Sequence, residues 1–106
     1  DEFVFHPAST AARAVALVSN ADRNMVTPLI LTPSGIQAGA TTSGLPLATD
    51  MDLIERGAQT GTVLVSTVEK VARVELKSTG AVTSYGTAHN FGAGTTNITY
   101  GIAIQR

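Results

Sequence analysis

The chain of 106 residues has no cysteine and no tryptophan, and only three phenylalanines and two tyrosines. Without cysteine there can be no disulfide, no thiolate metal site and no thiol nucleophile. Charge is also scarce. Asp, Glu, Lys and Arg make up 14% of the residues, against about 25% in an average soluble domain. The seven Lys and Arg are dispersed, no two adjacent, and the formal net charge is -1. A nucleic-acid partner is therefore not expected, because displacing counterions from phosphates needs a basic stripe. No apolar run approaches the roughly 20 residues of a membrane-spanning helix, so no membrane partner is expected either.

Alanine, glycine, threonine, valine and isoleucine fill the composition instead. The length fits one domain, with enough chain to bury roughly 60–70% of the surface exposed on unfolding. A surface with so few charges suits a domain partly covered by other protein.

Along the chain, Phe3-Val4-Phe5 precedes His6-Pro7, which forces extended or turn geometry. Residues 1–12 read as an extended, mobile N-terminal arm, and 13–106 as a single β-rich domain. Within it a strand is expected around Ala14–Val18 and a turn over Asn20–Asn24. Met25–Leu31 is apolar but contains Pro28, which cannot donate to a ladder, so it reads as a sheet edge or irregular packing. Thr32–Leu45, punctuated by Pro33, Gly35, Gly39 and Gly44, reads as a long loop. Asp50–Arg56 reads as one short helix, with Asp50 as its cap, Asp52 and Arg56 matched to the helix ends and Gly57 as terminator. Thr62–Ser66 is a short apolar strand. From Val71 to Lys77, Ala72, Val74 and Leu76 alternate with Arg73, Glu75 and Lys77, the period-2 pattern of a half-buried strand. Ser78-Thr79-Gly80 reads as a turn, Ala81–Tyr85 as a returning strand and His89–Thr95 as a Gly-containing loop. Ile98, Tyr100, Ile102 and Ile104 line one face of an expected final strand. The fold class is mainly β: a small β-tulip or barrel-like domain with one short helix and an extended N-terminal arm.

The groups that could carry chemistry have simpler readings. His6 lies before a proline and His89 beside Asn90, and neither comes with the nucleophile and orienting group that a catalytic base needs. Asp50, Asp52 and Glu55 lack the glycine and alternating oxygen ligands of a calcium loop and the aromatic groove of a glycosidase. Gly92-Ala93-Gly94 has no following Lys-Ser/Thr to cradle a phosphate. Lys70, Arg73 and Lys77 alternate with Glu69 and Glu75, a mixed-charge strand face. No catalytic residue, cofactor or metal is expected.

Four pieces in order resemble the small head-decoration (capsid-stabilising) proteins of lambda-like tailed bacteriophages. They are Thr27-Pro28-Leu29-Ile30-Leu31, Gly57-Ala58-Gln59-Thr60-Gly61, Lys77-Ser78-Thr79-Gly80-Ala81-Val82 and Gly101-Ile102-Ala103-Ile104. The tryptophan-containing turn familiar from that family has no counterpart, and a longer Gly/Thr loop, Thr32–Thr49, stands in its place. The resemblance implies a non-enzymatic structural protein that binds the expanded phage head as a homotrimer and stabilises the shell. Its partner would be the major capsid protein. Its location would be the virion surface, and the host cytoplasm during assembly. The N-terminal arm would order on the shell, with Phe3, Val4, Phe5, His6 and Pro7 as the capsid-binding residues, adding a strand to a capsid edge. The other reading is a pilin-like or adhesin β-sandwich subunit of an extracellular fibre, which the short strands, many threonines and N-terminal extension also suit.

Overall fold

The computed structural model describes residues 2–20, 23–43, 45, 48, 50–67, 70–90 and 104. Among these residues the strands are β1 (Phe3–Phe5), β2 (Ala14–Asn20), β3 (Met25–Thr32), β4 (Gly35–Ala38), β5 (Thr42–Ser43), β6 (Asp50–Leu53), β7 (Thr62–Ser66), β8 (Lys70–Leu76) and β9 (Val82–Asn90). They form two antiparallel sheets. The N-terminal sheet has the order β1-β2-β3-β4, with β5 also paired to β3, and the C-terminal sheet has the order β6-β7-β8-β9. Every neighbour along these paths is also a neighbour in sequence, as short antiparallel connections favour. No ladder joins the two sheets among the described residues.

The sheets share one core. Val15, Leu17 and Val26 come from the N-terminal sheet, and Met51, Leu53, Val63, Val65, Ala72, Val74 and Leu76 from the C-terminal one. Leu45 and Ala48, in the connection between the sheets, are fully buried in the same cluster. In β8 the expected register holds: Ala72, Val74 and Leu76 are buried and Arg73 is exposed. Ser78-Thr79-Gly80 turns as expected, closed by hydrogen bonds from Gly80 N to Lys77 O and from Lys77 N to Ala81 O. The chain returns as β9, which includes His89 and Asn90 and shifts register against β8 at two bulges. The expected final strand, apart from Ile104, lies outside the described residues.

Three expectations are corrected. The segment read as a short helix is β6 followed by a turn. Asp50 and Asp52 do not cap a helix; their Oδ1 atoms accept from the N–H of Met51 and Leu53. Met51 and Leu53 alternate with them onto the core, so burial with period 2 outweighed the capping pattern. The long loop is a hairpin: Thr32 pairs with Gly35 across Pro33-Ser34, and β4 and β5 lie end to end along β3.

Pro28 is also inside the sheet, not at its edge. Pro28 pairs with Leu17 of β2, and its carbonyl accepts from Gly39 N at 2.8 Å on the opposite side. A strand residue points its N and C=O to the same edge, so the missing donor of Pro28 faces the break between β4 and β5. The break is what admits proline to an interior strand. Gly39 is needed there, because a Cβ would lie 2.9 Å from Pro28 Cγ.

Candidate interaction surface

The five residues expected to bind a partner are held by β1. Its register with β2 pairs Phe3 with Val18, Val4 with Leu17 and Phe5 with Ala16. Ser19 N donates to Glu2 O and His6 N to Val15 O, so the backbone groups of Glu2 and His6 face β2. By the two-residue period of an antiparallel ladder, those of Phe3 and Phe5 face the edge that no other described strand pairs with, where Phe3 N–H donates to Glu2 Oε1 at 3.3 Å. Residues 2–6 are thus paired into the sheet as an extended segment. The cause is two-sided pairing: Val4 packs on the core, and Glu2 N donates to the buried Ser19 Oγ at 3.0 Å.

The five residues do not share one surface. Phe3 and Phe5 point outward, 57% and 48% exposed, with their rings edge to face at 5.5 Å. Val4 points inward. Pro7 is exposed in a turn. His6 is half-buried, and its Nδ1 accepts from Ala8 N at 3.0 Å. A Cβ on Gly61 would stand 3.2 Å from His6 Nε2, and Gly61 has φ +91°, so glycine is what lets the imidazole lie close. Burial lowers the His6 pKa below its ordinary value.

Residues that sequence reasoning missed complete the outward face. Cross-strand register puts Phe5, Ala16, Leu29 and Ala38 on one row, Phe3, Val18 and Thr27 on the next, and Ala14, Leu31 and Ile36 on a third. Phe3, Phe5, Ala16, Val18, Leu29 and Leu31 line a shallow groove of about 250 Å³. Ile36 projects beyond it, 69% exposed. None of the residues on these three rows is charged. The C-terminal sheet differs: Asp50, Asp52, Arg73 and Glu75 alternate with its core residues, so its outward face carries charge of both signs. The sequence held a signal for the contrast. Ala14–Val18 and Pro28–Leu31 are continuous apolar runs, the pattern of strands apolar on both faces.

The groups considered for chemistry are dispersed into structural roles. Asp52 Oδ2 accepts from Ile104 N at 2.7 Å, and Asp50 N donates to Ser66 Oγ at 3.1 Å. His89 is exposed on β9, opposite Val71. Lys77, just past the end of β8, pairs with Glu75 at the surface. Arg13 ties the start of β2 to the β8–β9 turn, donating to Ser78 O at 2.8 Å and Thr79 O at 3.2 Å. Among the described residues no three His, Asp or Glu converge in a way that could hold a metal ion.

No family model, no curated protein and no solved structure matches the chain. The class of the protein is therefore a structural one: a small β domain of two antiparallel sheets around one core.

Proposed function

We propose that the protein is a structural assembly component, a decoration protein that binds the expanded head of a tailed phage and stabilises the shell without turning over a substrate. The observation that carries this reading is the edge strand β1. It presents the backbone groups of Phe3 and Phe5 to the side of the sheet that no other described strand pairs with, the Phe3 N–H there shared with the exposed Glu2 carboxylate, beside two exposed aromatic rings. A free edge of this kind accepts a strand from another protein, with main-chain hydrogen bonds giving affinity and side-chain contacts giving specificity. The capsid-binding role proposed for Phe3, Val4, Phe5, His6 and Pro7 thus centres on the edge formed by Phe3 and Phe5. Val4 and His6 hold that edge in place, through the core and Gly61. Among the described residues the order of neighbouring strands is a simple meander, whereas immunoglobulin-like sandwiches use Greek-key connections, and this supports the decoration reading over the fibre-subunit one.

The test mixes the purified chain with expanded, undecorated shells and measures bound copies. Saturable binding at a fixed number per shell is expected, with a higher temperature of shell rupture, since a ligand that binds only the assembled state stabilises it by mass action. Absence of binding at micromolar concentration would rule the reading out.

A further inference from the structure

We propose that His6 is an acid-sensitive latch: uncharged, its imidazole fastens β1 to the N-terminal sheet, and protonation releases that strand. The consequence for shell binding rests on the reading above, because a partner would meet the β1 edge only while the strand is docked.

The latch lies where β1 leaves its ladder. His6 N donates to Val15 O at 2.7 Å, joining the end of β1 to β2, and His6 O accepts from Ser9 N at 3.0 Å. The side chain closes the same turn, its Nδ1 accepting from Ala8 N at 3.0 Å. Only a ring nitrogen without hydrogen can accept that bond, so the docked state holds the tautomer with hydrogen on Nε2. An imidazolium carries hydrogen on both nitrogens. Its Nδ1–H would then stand against the Ala8 N–H, donor against donor.

The other side of the ring meets the C-terminal sheet at Gly61, where a Cβ would stand 3.2 Å from Nε2 and 2.6 Å from Leu76 O. Gly61 is fixed in place: its N donates to Ile54 O and its O accepts from Leu76 N, both at 2.9 Å. This contact removes hydration from the ring, which disfavours the charged form. The charged residues of the elements packed around His6 do not offset that loss. Arg13, before β2, donates to the Ser78 and Thr79 carbonyls. Glu55 and Arg56 are exposed in the turn that leads to Gly61. Glu75 and Lys77, beside Leu76, pair with each other, and Glu2, at the far end of β1, accepts from Phe3 N. Burial alone accounts for the lowered pKa, so none of these charges acts on the ring. β1 also has few other fastenings: three residues, one neighbour among the described strands, Val4 on the core, and Glu2 N on Ser19 Oγ. Losing the fastening at one end therefore weighs heavily on this strand.

The test follows the whole chain by NMR from pH 7.5 to pH 5.0. At pH 7.5 the His6 nitrogen shifts should show hydrogen on Nε2 alone. The amide signals of Val4 and Leu17, which face each other across β1 and β2, should move with the His6 midpoint. In His6→Gln, whose side-chain oxygen can accept from Ala8 N at any pH, that transition should vanish. Hydrogen on Nδ1 at pH 7.5, or Val4 and Leu17 signals that ignore the His6 midpoint, would overturn the latch. Binding to expanded, undecorated shells gives a second readout. Apparent affinity falls with the docked fraction, so it should weaken at least about three-fold at pH 5.0, and by less in His6→Gln. An equal loss in both chains would overturn control of binding by His6. Shells that take up the chain at neither pH would overturn the shell reading instead, and the NMR titration then decides the latch by itself.

Discussion

His6 shows how a single side chain couples the edge strand to the rest of the domain. Its Nδ1 accepts a hydrogen bond from Ala8 N–H, which requires an unprotonated nitrogen, and burial lowers its pKa. The proton is therefore bound more readily when the segment is released than when it is docked. Where the released state binds more protons, stability rises with pH. The contribution of His6 is fully present above the ordinary histidine pKa of about 6.5 and is lost as pH falls from there through the lowered folded value. Hydrogen exchange at Val4 and His6, corrected for intrinsic rates, should show weaker protection as pH falls through that window. His6→Gln should remove the dependence. A second prediction concerns β8, where Leu76 is 1% exposed and Glu75 lies on the opposite face. Leu76→Ala should cost about 2–5 kcal/mol in denaturant unfolding. Glu75→Ala should change stability by no more than about 0.5 kcal/mol, because its pairing with Lys77 is at the surface, where ion pairs contribute little.

At the scale of the element, β1 is the least secured strand that carries a proposed role. It has three residues and one neighbour in its sheet, whereas β2 and β3 pair over seven positions. Short edge elements with few buried contacts open at lower free energy than the core. Removing residues 1–7 should therefore leave a cooperative unfolding transition, with reduced stability, and abolish binding to expanded shells. Loss of the transition itself would show that β1 is part of the core folding unit. Two other elements show how far local signals reach. The apolar alternation of β8 was readable because one face meets the core and the other meets water. β6 was not, because its Asp-x-Asp pattern matches a helix start equally well. Burial of Met51 and Leu53 decides between the two, and that burial depends on the distant β7.

For the molecule as a whole, the two sheets divide the work. The C-terminal sheet has a charged outward face and supplies most of the core cluster. The N-terminal sheet carries no charged residue on its three outward rows, and its β1 edge carries the proposed shell contacts. Contacts made through backbone groups and apolar side chains depend little on ionic strength, unlike phosphate binding, which weakens steeply with salt. Affinity for shells should therefore change less than about ten-fold between 50 and 500 mM salt. It should also persist after His89→Ala, since His89 lies on a strand of the other sheet. A steep salt dependence would indicate a charged partner and count against the proposed β1 edge.

Composition and periodicity alone settled that the chain is mainly β, that it has no disulfide, and that Ala72, Val74 and Leu76 face the core. These follow from residue type and two-residue alternation, which any strand with one wet face must show. The position of Pro28 could not be read in this way. Proline in an apolar run signals an edge, and only the gap between β4 and β5, made by a hairpin through Pro33-Ser34, gives its missing donor an interior place. The outward face of the N-terminal sheet was beyond local reading for the same reason. Phe3, Leu29 and Ile36 are far apart in sequence, and they share a surface only because cross-strand register aligns β1 and β4 on the two sides of β2 and β3. Continuous apolar runs announce strands covered on both faces, but which face the core takes is decided by the packing of one sheet on the other.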